Sequence, residues 1–520
     1  MTTLETRHDV AAGAAPADAA AAGGAVADGA NVAPAWAGGE PLVFELSRDY
    51  TGGKRVTAAG VPAQAVDALV PRELLRTRPA TIPSVPEPVL ARHLGRLARR
   101  NHHLHHGMYP LGSCSMKYNP IVDEQLAWLD GFANLHPYQD ERDVQGALQL
   151  MWELEQLLAA ITGMSRMSLQ PAAGAHGEWT GLRMIQAYHA RQGDTGRTAV
   201  LIPDSAHGTN PASAAECGLD VVTVKSNPDG TVDVADFATH LDDHVAAIML
   251  TNPNTVGVFE KDILEIARLA HQAGSLLYYD GANLNALVGV ARPGDMGFDV
   301  VHLNLHKTFS TPHGGGGPGA GPVGVAERLV DFLPTPTVER DGDRFFLDDE
   351  RPHSIGKVRS YYGNFGMLVR AYAYIRAYGS TLPDIARDAV LNARYLQSRL
   401  RDLFPMAVTT ESMHEFVATT KGGRVDGLRA VDVAKRLLDY GVYAPTVYFP
   451  LTVPEALMIE PTETESKRSL DEFAAICAAI VAEAERDLEF VRAAPHQTPV
   501  QRVDEVRAAR HPVLRWTPEG

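Results

Sequence analysis

The chain of 520 residues is 45% hydrophobic and 21% charged, a composition ordinary for a soluble globular protein of two or three domains. A net charge of −16 counts against nucleic acid or an anionic membrane as the main partner. Its three cysteines, Cys114, Cys217 and Cys477, fit neither a zinc site nor a disulfide framework, and no apolar run approaches the ~20 residues that span a bilayer, so a reducing cytoplasm is expected.

Residues 1–40 are dominated by Ala and Gly. They lack the Leu-rich core of a secretory signal, and acids at Glu5, Asp9, Asp18 and Asp28 are unlike a transit peptide, so a disordered extension is expected. Residues 41–120 are rich in Pro and short elements and read as an arm that wraps over another surface. A large domain is expected over 121–350. It opens with a helix in which Val144, Leu148, Met151, Leu154, Leu158 and Ile161 recur at helical spacing until Gly163 ends the run. Short apolar runs follow at Ala199–Ile202, Val221–Val224, Ala246–Thr251, Ser275–Tyr279 and Val300–Leu305, with helical stretches such as Glu260–Ala273 between several of them. That alternation predicts an α/β fold with a mostly parallel sheet covered by helices. After the Gly-rich stretch Gly314–Gly324 comes an amphipathic segment from about Asn364 to Tyr378. A smaller α+β domain is expected over 351–492 and a tail over 493–520.

In an open α/β sheet ligands sit beyond the carboxyl ends of the strands, and five features fall there in order. Pro171-Ala-Ala-Gly-Ala-His-Gly177 opens a helix at Glu178–Ala190 and is either a simple turn or a cradle whose free N–H groups take a phosphate. His207 follows a strand and is either a loop histidine or a ring that stacks on a flat cofactor. Asn252, in Thr251-Asn-Pro-Asn-Thr255, is either part of a turn or a donor to a phenolate oxygen. Asp280, ending an apolar strand, is either a helix cap or the partner of a buried cation such as a pyridinium nitrogen. Lys307, after the next strand, is either solvated or a Schiff-base lysine. The run Gly314–Gly317 is not a nucleotide P-loop, because no Gly-Lys-Ser/Thr follows. Phosphate loop, stacking ring, Asn, Asp and Lys in that order are what an enzyme using pyridoxal 5'-phosphate (PLP) requires.

This set resembles the fold-type I PLP enzymes. Longer words narrow the resemblance to the glycine dehydrogenase (decarboxylating) family: Tyr109-Pro-Leu-Gly-Ser-Cys-Ser-Met-Lys-Tyr-Asn-Pro120, Asp204-Ser-Ala-His-Gly-Thr-Asn-Pro-Ala-Ser213, Leu305-His-Lys-Thr-Phe-Ser-Thr-Pro-His313 with the glycines after it, and Thr446 to Lys467. The resemblance runs from about Pro41 to Arg492. It implies a fold-type I transferase with a mostly parallel seven-stranded sheet in the large domain and a smaller C-terminal α+β domain. Some members fuse two PLP-enzyme-like halves, and others split them. One set of motifs in 520 residues resembles the split, PLP-bearing half, which implies a partner subunit 1, an α2β2 assembly, and a lipoylated H-protein that accepts the aminomethyl group once glycine loses CO2.

By the same resemblance PLP forms a Schiff base on Lys307, Asp280 partners the ring nitrogen, and His207 stacks on the ring. Gly174 and Ala175 cradle the phosphate, His306 is a candidate acid/base, and Thr209 and Asn252 are polar contacts. No arginine lies between Tyr440 and Lys467 to hold a substrate carboxylate in the small domain, and Arg359 and Arg370 stand elsewhere as candidates. Three departures from the family pattern are His102-His-Leu-His-His106, Ser115 in place of Thr, and Trp179 in place of Leu. The four histidines are read as an exposed polar stretch, with no metal expected, and Cys114 as a packed thiol. Two rival readings are another fold-type I lyase or transaminase, and a PLP-free structural subunit.

Overall fold

The computed structural model describes residues 39–48, 60–62, 64–78, 82–313 and 319–517. Nearly all of the expected N-terminal extension, and the run Gly314–Gly317, lie outside the described residues. The chain divides into two compact units, residues 1–100 and 101–520. In the first, the described residues form the helices Val43–Leu46, Val66–Leu69 and Glu87–Arg99 and a 3-10 turn at Arg72–Leu74, and Glu40 accepts from Arg96 and His93.

The second unit is built on a seven-stranded sheet. Its strands are β1 (Arg166–Ser168), β2 (Ala199–Pro203), β3 (Asp220–Val224), β4 (Val245–Thr251), β5 (Leu276–Gly281), β6 (Val300–Leu303) and β7 (Val323–Val325). Their order across the sheet is β1-β7-β6-β5-β4-β2-β3. Strands β2 to β6 run parallel, and β7 is antiparallel to both of its neighbours. The five strands expected from sequence are these parallel ones. They were legible because strands covered on both faces are mostly apolar, as β2, β4, β5 and β6 are, with polar Thr251, Asp280 and His302 only towards the carboxyl ends of the last three. The three-residue strands β1 and β7 carry too few residues to show a period. Chain order reverses between β2 and β4, which opens a crevice at the carboxyl ends.

Both faces are covered. On one, the helices Gln145–Thr162, Ile263–Gln272 and Phe365–Tyr378 pack Leu154, Leu158, Ile266 and Leu368, all fully buried, against Leu201, Leu277 and Val301. Gly163, at φ 74°, ends the first of these in the left-handed conformation that favours glycine. On the other face the helix Gly174–Arg191 sets Leu182 and Ile185 on Val200, Met249 and Val300. A hairpin of β8 (Thr337–Asp341) and β9 (Arg344–Asp348) follows.

A second core surrounds a three-stranded antiparallel sheet ordered β10 (Phe416–Thr419), β12 (Ala456–Ile459), β11 (Thr446–Val447), with helices Ala430–Asp439 and Lys467–Arg486 against it. The two cores exchange within the helix Leu382–Leu400. Leu382, Ile385 and Ala386 pack in the first, and Ala393, Leu396 and Leu400 in the second. The change of core therefore lies beyond residue 350, because the amphipathic helix Phe365–Tyr378 buries its apolar face on the large sheet.

Candidate active site

A cavity of about 230 Å³ lies at the carboxyl ends of β2, β4, β5 and β6. Lys307, His306, His207, Asp280, Thr209, Gly174 and Ala175 all line it, so the features separated in sequence converge on one space. Among the residues expected there, Asn252 stands apart. It is fully buried behind the wall, its Oδ1 accepts from the Glu260 N–H at 2.9 Å, and Thr251 and Thr255 line the cavity in its place.

Asp280 is the electrostatic pivot. Its Oδ2 accepts from Asn210 Nδ2 at 2.9 Å, and its Oδ1 accepts from the Ala282 N–H at 2.9 Å and lies 3.2 Å from His302 Nε2. Burial works against its charge, but the His302 ring, Asn210 and Ala282 outweigh it and hold the carboxyl well below the usual range. His302 is pushed the other way. Burial opposes its charge, and the Asp280 carboxylate raises it above the ordinary histidine value. Glu178, one turn into the helix Gly174–Arg191, completes the wall. It accepts from Thr209 Oγ1 at 2.9 Å and Ser213 Oγ at 2.7 Å, and burial and then the Asp280 charge raise its carboxyl.

Lys307 Nζ donates to the Ser113 carbonyl at 2.7 Å. His207 is part-buried beside it. Its Nδ1 is 3.0 Å from Thr209 Oγ1, and burial and then the Lys307 charge lower its basicity. Burial, and then the charges of His313 and Lys307, depress His306 to about 3, so its ring is neutral at working pH and its Nδ1 is without a partner. His313 packs edge-on against it at 5.0 Å, depressed to about 4 by burial and the Lys307 charge.

The helix Gly174–Arg191 starts after Ala173, which offers no side-chain cap, so its first N–H groups are left to the cavity. Gly174 lets the helix approach Asn304 closely, because a Cβ would stand 2.3 Å from Asn304 Oδ1 and force that side chain to move. Free amides on one side, a buried anion on another, a flanking imidazole and a primary amine form a donor set that fits a flat, phosphorylated, cationic heteroaromatic aldehyde. The Thr251 hydroxyl and His306 Nδ1, both buried in the wall without partners, are free to meet such a group.

Several expectations resolve elsewhere. Arg370 is committed to Glu124 through two hydrogen bonds (2.7 and 2.6 Å), and Arg359 donates to Asn364 at 2.9 Å; neither lines the cavity. His102 bonds the Met108 carbonyl at 3.0 Å and packs on Tyr109, while the rings of His103 and His106, both exposed, lie 3.7 Å apart. Cys114 is half-buried, with its thiol pushed up by burial.

Sequence reasoning missed Glu178, His302, Asn304 and Ser113. Glu178 follows Gly174 by one helical turn, which places it on the same face. His302 is the cross-strand neighbour of Asp280, a pairing visible only once the register of β5 and β6 is known. Glu178, Asp280 and His302 set three ligand-type atoms within 4.8 Å of one another, but Glu178 and Asp280 already accept from Thr209, Ser213, Asn210 and Ala282.

Comparison with known proteins agrees with this geometry. Residues 60–344 match the family "Glycine cleavage system P-protein" and residues 385–502 match "Glycine dehydrogenase, C-terminal domain". The chain is 56% identical over 477 residues, 92% of its length and 98% of the relative's, to "Probable glycine dehydrogenase (decarboxylating) subunit 2" of Caldanaerobacter subterraneus subsp. tengcongensis. It is 55% identical over 478 residues, again 92% and 98%, to the protein of the same name from Halalkalibacterium halodurans. Among solved structures it resembles the crystal structure of an inhibitor-bound glycine decarboxylase (P-protein), with TM-score 0.67 and 20% identity over 80% of this chain and 94% of that one. A cysteine desulfurase from Thermococcus onnurineus NA1 superimposes with TM-score 0.57 and 17% identity over 73% and 95%.

Proposed function

The chain belongs to the glycine cleavage system P-protein family, and from that premise we propose that Lys307 carries PLP in the cavity and that glycine is decarboxylated there. It is a fold-type I enzyme and a glycine decarboxylase of the glycine cleavage system, working with a partner subunit 1. No described helix is long and apolar enough to cross a membrane. We further propose a cytoplasmic α2β2 assembly that hands the aminomethyl group to the lipoyl arm of H-protein.

The observation that carries the residue assignment is the convergence of Lys307, Asp280 and His207 on one cavity. When bound, PLP supplies a conjugated ring that takes up the electron pair left as glycine loses CO2. The amides at the start of the Gly174–Arg191 helix, at Gly174 and Ala175, take the phosphate. Asp280, anionic and locked by Asn210 and Ala282, keeps a proton on the ring nitrogen. His207 covers one ring face, and Thr209 fixes its imidazole. His306, neutral and with Nδ1 unpartnered, offers a hydrogen-bond acceptor beside Lys307. With no arginine among the lining residues, the substrate carboxylate meets neutral groups such as Thr251 and Thr255, and leaving as CO2 relieves its charge there.

Borohydride reduction of the PLP-loaded protein followed by peptide mapping tests the site. A pyridoxyl group on Lys307 is the expected result, and a label on any other lysine refutes the assignment.

A further inference from the structure

Close to Lys307, the segment from Leu111 to Lys117 forms a strap along the second, smaller sheet. Leu111 bridges to Ile459, Gly112 N–H donates to the Met458 carbonyl at 3.2 Å, and Thr446 Oγ1 donates to the Gly112 carbonyl at 2.8 Å. Any side chain at Gly112 would strike Met458, since a Cβ would lie 2.2 Å from it.

Ser113 and Ser115 both adopt left-handed backbone, at φ 65° and 45°, which favours glycine and holds here only because the surroundings impose it. Those surroundings are two carboxyl groups. Ser113 N–H donates to Glu415 Oε2 at 2.7 Å and Asn283 Nδ2 to Glu415 Oε1 at 3.1 Å, Ser115 N–H donates to Glu460 Oε2 at 3.0 Å, and the Ser115 hydroxyl donates to Glu460 Oε1. The other side of Ser113, its carbonyl, receives Lys307 Nζ.

Glu415 and Glu460 are fully buried, and each has an oxygen within 4.8 Å of the other. Neither is paired with a lysine or arginine among the described residues. The titratable groups facing them are few. Lys307 lies beyond the strap, Cys114 sits between the two serines, and Glu463 spends its charge on Lys117 at 2.8 Å. His414 Nε2 is 3.9 Å from Glu460, but burial depresses that ring to about 3 and leaves it neutral. Two adjacent carboxylates in a dry interior, with the single charge of Lys307 reaching them only across the strap, cannot both stay ionised.

We infer that Glu415 and Glu460 are positioning residues that together carry one proton beneath the strap, fixing the Ser113 carbonyl as the resting place of the Lys307 amine whenever the cofactor does not hold it. The inference rests on the reading of Lys307 given above and extends it to residues of the smaller sheet. Burial and the neighbouring Glu460 push Glu415 far above the carboxylate range, and burial pushes Glu460 to about 7. The folded pair therefore binds more protons than the unfolded chain above the ordinary glutamate value of 4.5, and its contribution to stability falls as pH rises through that window. Ionisation of the second carboxyl sets two like charges directly behind Ser113 and Ser115 and loosens the acceptor of Lys307.

The test uses the full chain with its partner subunit and the variants Glu415→Gln, Glu460→Gln, Glu415→Ala and Ser115→Ala. Two readouts are followed from about pH 5 to pH 8: the unfolding midpoint of the cofactor-free chain, and the absorbance and dissociation rate of bound PLP. Either Gln variant is expected to flatten the fall of the midpoint with pH and to move the alkaline limb of the absorbance by about one pH unit or more. Glu415→Ala leaves the Ser113 N–H unmet and is expected to release PLP about tenfold faster, while Glu415→Gln restores the acceptor and the slow release. Ser115→Ala, which removes a donor to Glu460, moves the fall of the midpoint to higher pH, and it keeps the test alive if a Glu variant does not fold. Wild-type pH dependence in both Gln variants overturns the inference. A wild-type chain without PLP on Lys307 sinks the functional reading instead, and the cofactor-free midpoint still decides whether the pair shares a proton.

Discussion

Replacing Asp280 with Asn removes one charge and almost no volume, so its consequences follow from the hydrogen bonds alone. The carboxylate now accepts from Asn210, the Ala282 N–H and His302 on its two oxygens. An amide offers one acceptor oxygen and an NH2 group, and in either orientation the NH2 faces a donor. At least one buried donor is left unmet, which costs about 1–3 kcal/mol of folding free energy. Asp280 is held low in the folded state, so its stabilisation is present above the ordinary carboxylate range and is lost on acidification. Urea unfolding of the cofactor-free variant should therefore show a deficit at pH 7 that narrows below about pH 4. The activity effect is larger, because the variant no longer holds a proton on the ring nitrogen by charge. Exchange of labelled bicarbonate into glycine should fall by about 10²–10³. Exchange within about threefold of wild type in a folded, PLP-loaded Asp280→Asn protein would refute the role given to Asp280. An unchanged urea midpoint at pH 7 would refute the hydrogen-bond account.

Gly174→Ala drives a methyl group into Asn304, a strain of about 1–3 kcal/mol, and should weaken PLP binding by about tenfold or more in a fluorescence titration. Lys117→Met strands Glu463, which Lys117 Nζ meets at 2.8 Å along with Asn285 and Tyr374, and should destabilise the chain by about 3–5 kcal/mol in urea. His414 is fully buried with neither ring nitrogen partnered, and its depressed basicity costs stability as pH falls below 6.5. His414→Leu should accordingly be more stable than wild type by about 2 kcal/mol at pH 5, with a smaller gap at pH 8. Leu158→Ala empties a fully buried position under the large sheet and should lower stability by about 3 kcal/mol.

What the sequence made legible follows from how each element is stabilised. Parallel strands buried on both faces are apolar runs, and β2, β4, β5 and β6 could be seen for that reason. Lys307, Asp280 and His207 could be placed because each follows such a run and the fold puts strand ends together. Glu415, Glu460 and Ser113 could not. Their meeting depends on a strap bonded to β12 more than 300 residues away in the chain, which no local period encodes. The same holds for His302, which matters only through its register opposite Asp280. Asn252 does not line the cavity: its Oδ1 accepts from the Glu260 N–H, while its Nδ2 is buried without a partner.

The central claim is that Lys307 carries PLP for glycine decarboxylation in a two-subunit enzyme. The most direct measurement is exchange of labelled bicarbonate into the glycine carboxyl group, with lipoylated H-protein, with and without subunit 1, for wild type and Lys307→Ala. The account predicts exchange that requires subunit 1 and is lost in Lys307→Ala. Exchange that survives in Lys307→Ala, or none from a wild-type complex loaded with PLP, would contradict it.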